Sequence, residues 1–442
     1  MKPVTFTIQP GGALSGTIRV PGDKSISHRA VMLGALAEGT TTVGGFLDGE
    51  DCRRTLQAFR AMGVHIERRD DVSLEVHGVG LGGLRAPARE LDLGNSGTSM
   101  RLMAGLMSGQ KFPTTLVGDA SLSRRPMQRI IEPLTRMGAS IDAEDGHAPL
   151  RIRPAAALTG IRYRSPVASA QVKSGVLLAG LYASGRTEVT EPEPSRDHTE
   201  RMLRAFGVAL DAEPGRAALA GGQRLAGTGI EVPADISSAA FFMVGAAIAP
   251  GSDVTLAGVG INPTRTGILE ILRRMGADVE VARERALGAE PVADIRVRGR
   301  ALHGIVIDGA LVASAIDEFP AVFVAAACAQ GVTEVSGAGE LRVKESDRIQ
   351  SMCEGLAALG ISAQPQADGA RISGGRLRGG RVDSRGDHRV AMALAMAGLR
   401  AERPVTILDC ANVDTSFPGF VALAARAGLA IAAADNASRE PA

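Results

Sequence analysis

The sequence predicts an α/β protein of two domains, on three observations: a length of 442 residues, a helix-glycine-strand unit that recurs along the chain, and an aliphatic composition with 55 glycines. A chain this long exceeds the usual size of a single hydrophobic core, so its apolar surface divides between two. The recurring unit reads TLQAFRAMGVHI, IIEPLTRMGASI, MLRAFGVAL, ILEILRRMGADVEV, MCEGLAALGISA and VALAARAGLAI, with its glycine at Gly63, Gly138, Gly207, Gly276, Gly360 and Gly428. In the first copy Leu56, Phe59 and Met62 share a helical face and Gly63 suits the left-handed residue that ends a helix. Val64 and Ile66 then alternate against His65 as in a strand. The stretches TTVGGF, TTLVGD, TEVTEP, DVTLAG, TEVSGA and VTILDC read as further strands. One such unit is common to many α/β proteins. Six make a duplicated βαβ-type module, three to a domain, with a ligand cleft expected between the domains.

Composition narrows the function. Lys+Arg 49 against Asp+Glu 48 leaves a net charge of +1, which offers no electrostatic footprint for nucleic acid or an anionic membrane. Aromatics at 3%, with no Trp, disfavour base-stacking and carbohydrate-stacking surfaces. Cys52, Cys328, Cys353 and Cys410 are scattered and form no zinc or dithiol pair, so reduced core thiols are expected. Residues 1–12 lack signal-peptide features, and apolar stretches such as 321–329 are too short to span a bilayer. A soluble, cytoplasmic protein is expected. The histidines lack metal-ligand spacing, so neither a metal nor another cofactor is expected.

Cations and small polar residues gather between the repeats. PGDKSISHRA puts Lys24, Ser25 and Arg29 within about one helical turn, an anion clamp if a helix starts there and a solvated basic turn otherwise. LDLGNSGTSMRLM sets Gly94, Asn95, Ser96, Gly97, Thr98 and Ser99 before an apolar helix, either for close ligand approach or as a capped turn. SLSRRPMQRI places Arg125 before Pro126, where extended backbone could carry the guanidinium into a cleft or leave it in solvent. IDEFPA puts Asp317 and Glu318 ahead of an apolar helix, and ELRVKESDR holds Arg342, Lys344, Glu345, Asp347 and Arg348. In GDHRVAMALAM, Asp387 reads as an N-cap with His388 and Arg389 in the first turn. A cation there opposes the helix dipole, so Arg389 suggests a bound anion, against salt bridging on a solvated face. Gly78, Gly80 and Gly83 satisfy GxGxxG without a helix to follow, and Asp23 between Gly22 and Lys24 spoils a P-loop.

PGDKSISHRA, LGNSGTSMR, SRRPM, SAQVKS, SRDHTERML, RVKESDR and GDHRVAMA, in this order, resemble the family of enolpyruvyl transferases that make 5-enolpyruvylshikimate 3-phosphate, from about residue 8 to residue 432. The resemblance implies a two-domain, inside-out α/β barrel-like enolpyruvyl transferase fold, each domain of three βαβαββ units. One domain would take residues 1–19 and 236–442, the other 20–235. It implies Lys24, Ser25, Arg29, Ser169, Ala170, Gln171, Ser195, Arg196, Asp317 and Lys344 at a shikimate 3-phosphate site. It implies Lys24, Gly97, Arg125, Gln171, Arg348 and Arg389 at a phosphoenolpyruvate site. Asp317, Glu345 and Lys24 would be catalytic, with Asp317 as base, and no metal or cofactor would take part. A monomer that closes on its two small-molecule substrates is implied. Ala170, Glu340 and Ala411 depart from the serine, the asparagine and the phosphoenolpyruvate-contacting lysine common at their positions. The related transferase acting on UDP-N-acetylglucosamine carries a mobile-loop cysteine near the region of Arg125, but no cysteine lies between Cys52 and Cys328 here.

Overall fold

Each repeat folds into the same local unit in the computed structural model, which describes residues 4–435. The second repeat sets the pattern. Strand Leu91–Asp92 leads to helix Gly97–Ser108, strand Thr114–Val117, helix Gln128–Arg136 and the hairpin of Ser140–Glu144 with His147–Arg153. The first two strands pair in parallel, Leu91 opposite Leu116, and the others antiparallel, Thr114 opposite Ile152 and Ile141 opposite Ile152. Six four-stranded sheets with one parallel pair each occur among the described residues, the last of them holding Val4–Ile8 between Val405–Leu408 and Ile431–Asp435 in place of a hairpin.

The two helices of each unit differ as their sequences require. The outer ones, such as Glu50–Ala61, are amphipathic and bury Leu56 and Phe59 while Arg53 and Arg60 face water. They end at the six repeat glycines, all with φ between 86° and 116°, where a side chain would be strained. Val64 and Ile66 are buried beyond the first of them and His65 is exposed, so the strand alternation holds. The inner helices are α1 (Lys24–Leu36), α2 (Gly97–Ser108), α3 (Ala170–Gly180), α4 (Ile236–Ile248), α5 (Phe319–Cys328) and α6 (His388–Ala397). They are apolar nearly all round; every residue of α4 is buried. Small residues let them touch: a Cβ on Gly105 of α2 would stand 2.0 Å from the carbonyl oxygen of Gly175 in α3.

The chain divides into two compact units. One comprises Gly22–Val232 with Ala286–Glu290, and the other comprises the residues up to Pro21, Pro233–Arg285 and the residues from Pro291 on. Two strands explain the discontinuity. Ser15–Ile18 precedes α1 in sequence but pairs in parallel with Asp253–Gly260, while Gly229–Glu231 precedes α4 but pairs with Glu38–Gly44. Each unit thus completes a sheet with a strand whose sequence neighbour is a helix of the other. No described helix is long and apolar enough to cross a membrane. All four cysteines are free thiols, and burial pushes those of Cys328 and Cys410 up to about 12, which makes them inert.

Candidate active site

Both units gather polar groups at the starts of their inner helices, where unpaired N–H groups and the helix dipole favour anions. In the Gly22–Val232 unit, Asp23, Ser96 and Ser169 cap α1, α2 and α3 by accepting from Ile26, Ser99 and Val172. Side chains knit these first turns together. Gln171 donates to Thr98 Oγ1 at 3.0 Å and accepts from Arg101 at 2.9 Å. Arg29 donates to the Ser25 carbonyl at 2.9 Å, to Ser174 Oγ at 2.8 Å and to Thr199 Oγ1 at 2.6 Å. Burial, opposed chiefly by Glu200 and Asp23, brings its guanidinium down to about 10. Lys24 instead reaches Asp51 at 2.5 Å. A helix does start at Lys24, so the solvated basic turn is not what forms: α1 turns Arg29 into the interior.

Arg125 is 6% exposed, and not a loop cation in solvent; it donates to Asn95 Oδ1 at 2.5 Å. Gly97 lies against it: a Cβ there would be 2.8 Å from Arg101 Nη1 and 3.1 Å from Arg125 Nη1. Ser169 and Ser195 share one partner. Glu191 accepts from the Ser169 backbone at 2.7 Å and from Ser195 Oγ at 2.6 Å. Lys173 Nζ sits 3.0 Å from Glu191 and 2.9 Å from Glu200, all three side chains nearly inaccessible. Burial opposes the Lys173 charge, but Glu200 and Glu191 outweigh it and hold its ammonium above the ordinary value. Ala170 opens α3, its carbonyl accepting from Ser174 Oγ at 2.6 Å, and half-buried Arg196 follows Ser195.

His28 lies in the same region, fully buried, with Nδ1 2.8 Å from Thr55 Oγ1. Burial first, then Lys24 and Arg29, push its imidazole well below the usual histidine value. The unfolded chain therefore binds the proton more readily, so stability falls as pH drops below the unfolded value of about 6.5. His28→Gln should lessen that fall by up to about 1.4 kcal/mol per pH unit, read as a smaller shift of the denaturant midpoint between neutral and mildly acidic buffer.

In the other unit Asp317 closes the turn before α5, as IDEFPA suggested, and Glu318 is the N-cap position. The Asp317 carboxylate faces three cations: Lys344 at 3.9 Å, Arg348 at 3.7 Å and Arg389 at 3.8 Å. Arg389 also donates to the Asp317 carbonyl at 2.9 Å. Arg348, 1% exposed, donates to Glu345 at 2.6 Å and to Asp387 at 2.8 Å. Burial opposes its charge, but Asp387, Glu345 and Asp317 together raise its guanidinium above the ordinary value. Asp387 caps α6 as expected, accepting from Arg389 N at 2.9 Å. Burial works against its anion, and Arg348 still holds it below the usual carboxylate range. Arg389 thus stays at a helix start beside Asp317 and the capping Asp387.

Sequence reasoning missed Asp51, Arg101, Glu191, Lys173 and Glu200, and treated Asp387 only as a cap. A signal existed for one of them: Lys173 interrupts the apolar run VKSGVLLAG, and a buried lysine demands carboxylate partners.

Comparison with known proteins shows the family and the fold. The family described as EPSP synthase (3-phosphoshikimate 1-carboxyvinyltransferase) matches residues 8–423. A 3-phosphoshikimate 1-carboxyvinyltransferase of Methylococcus capsulatus is 64% identical over 97% of this chain and 99% of its own. One of Alkalilimnicola ehrlichii is 63% identical over 98% of each chain. The solved EPSP synthase of Acinetobacter baumannii is 56% identical, with a TM-score of 0.87 over 98% of this chain and 100% of its own. The enolpyruvyl transferase NikO of Streptomyces tendae, 18% identical with a TM-score of 0.79 over 98% of this chain and 99% of its own, shares the fold. The chain belongs to the EPSP synthase family.

Proposed function

We propose that this chain transfers the enolpyruvyl group of phosphoenolpyruvate to the 5-hydroxyl of shikimate 3-phosphate, giving 5-enolpyruvylshikimate 3-phosphate and inorganic phosphate. Family membership supports the reaction, and the observation that carries the residue roles is Asp317 ringed by Lys344, Arg348 and Arg389 with Glu345 on Arg348. The 5-hydroxyl oxygen attacks C2 of phosphoenolpyruvate and loses its proton, while C3 gains one, giving a tetrahedral ketal. C3 then returns a proton as the C–O bond to phosphate breaks and the enol ether forms. Asp317 takes the hydroxyl proton. Glu345 and Lys24 carry the proton at C3 or the leaving phosphate. Arg125, Arg348 and Arg389, with Gly97 and Gln171, receive the phosphate and carboxylate of phosphoenolpyruvate. Ser25, Arg29, Ser169, Ala170, Gln171, Ser195, Arg196 and Lys344 receive shikimate 3-phosphate. The partners are small molecules, and the chain acts as a cytoplasmic monomer.

The test is phosphate release from the two substrates with the enolpyruvyl product followed by mass, UDP-N-acetylglucosamine serving as control acceptor. Release with the shikimate acceptor alone supports the reading; none from folded protein would overturn it.

Glu191 acts as a positioning residue for Ser169 and Ser195. Glu191→Gln turns a donor toward Lys173 and loosens both serines, so KM for shikimate 3-phosphate should rise roughly 10-fold, about 1.4 kcal/mol. The KM for phosphoenolpyruvate should move far less. Equal changes in both would indicate a general structural defect instead.

A further inference from the structure

The first sheet brings together a group that sequence spacing does not suggest. His65 and His77 are direct partners on the antiparallel strands His65–Arg68 and Leu74–Val79. Glu67, two residues beyond His65, shares their face, while Ile66 and Val76 point into the core. The imidazoles stack with centroids 5.0 Å apart. The Nε2 atoms of His65 and His77 stand 2.9 Å and 3.7 Å from the same oxygen, Glu67 Oε1. One donor atom from each residue lies within 4.8 Å of the other two.

We propose that His65, Glu67 and His77 bind a divalent transition-metal ion of the zinc class. Two imidazoles and a carboxylate are borderline donors that suit Zn2+, with water completing a tetrahedron on the exposed side. Bonds of about 2.1 Å place tetrahedral ligands about 3.4 Å apart, so the present separations need only side-chain adjustment. Two of the ligands are already oriented by neighbours. His77 Nδ1 lies 3.2 Å from Thr40 Oγ1, which leaves Nε2 for the metal. Arg69 holds the other Glu67 oxygen, Oε2, at 3.4 Å and is itself neutralised by Glu75 at 2.5 Å. With Glu67, Glu75 and Arg69 as the fixed charges, the local balance favours a cation. The bound ion joins the two strands of the hairpin, away from the polar helix starts.

The test is calorimetric titration of the full chain with Zn2+ in a neutral, non-chelating buffer, beside the absorption spectrum with Co2+. One ion per chain is expected, with tetrahedral Co2+ bands. His65→Gln, Glu67→Gln and His77→Gln should each weaken binding about tenfold or more, with transferase activity and circular dichroism unchanged. His147→Gln, on another sheet, should leave binding intact. No binding at millimolar Zn2+, or binding that survives loss of both His65 and His77, would overturn the proposal.

Discussion

Replacing Arg348 with methionine should lower the thermal unfolding midpoint by roughly 6–20 °C. The side chain is 1% exposed and the buried Asp387 carboxylate is its partner at 2.8 Å, so methionine leaves an uncompensated anion inside the protein. Breaking such a pair from one side costs about 3–5 kcal/mol, and each kcal/mol shifts a domain of this size by roughly 2–4 °C. Asp387→Asn in the same chain keeps an N-cap and removes the stranded charge, so the double variant should recover part of the loss. The pH dependence has a definite sign. The native Asp387 value is depressed, so its contribution is complete above the ordinary carboxylate value of 3.8 and vanishes as pH falls through the lower native one. An unchanged midpoint in Arg348→Met would show that the interior tolerates Asp387 alone and would refute this account of the pair.

Asp317→Asn should reduce turnover by about 10²- to 10⁴-fold, the range for loss of a positioned general base. Folding should survive, because the backbone carbonyl that receives Arg389 at 2.9 Å is untouched and the amide has nearly the same volume. The carboxylate lies 3.7–3.9 Å from its three cations, so the substitution chiefly removes Coulomb attraction. Melting curves and phosphate release measured on the same sample separate the two effects. Turnover within a few-fold of the parent would sink the assignment of Asp317 as base and shift attention to Glu345.

Much of this is legible in the sequence. The repeat glycines announce six helix ends because only a residue without a side chain sits easily at φ near 90°, and apolar periodicity separates the outer helices from the strands. Asp387 as a cap and Asp317 before α5 were readable because capping is a local interaction over a few residues. What sequence could not decide was where each charge goes. Lys24 and Arg29 share one turn, yet one meets Asp51 and the other meets Ser174 and Thr199, partners 27, 145 and 170 residues away. Likewise Glu191 gathers two serines, Arg348 pairs with Asp387, and His65 faces His77 only because a strand register puts them opposite. Local backbone preference is written in neighbouring residues, and so the order of residues along the chain determined the elements. Pairing of buried charges depends on desolvation and on distances set by the packed helices and sheets, which exist only once the chain has folded.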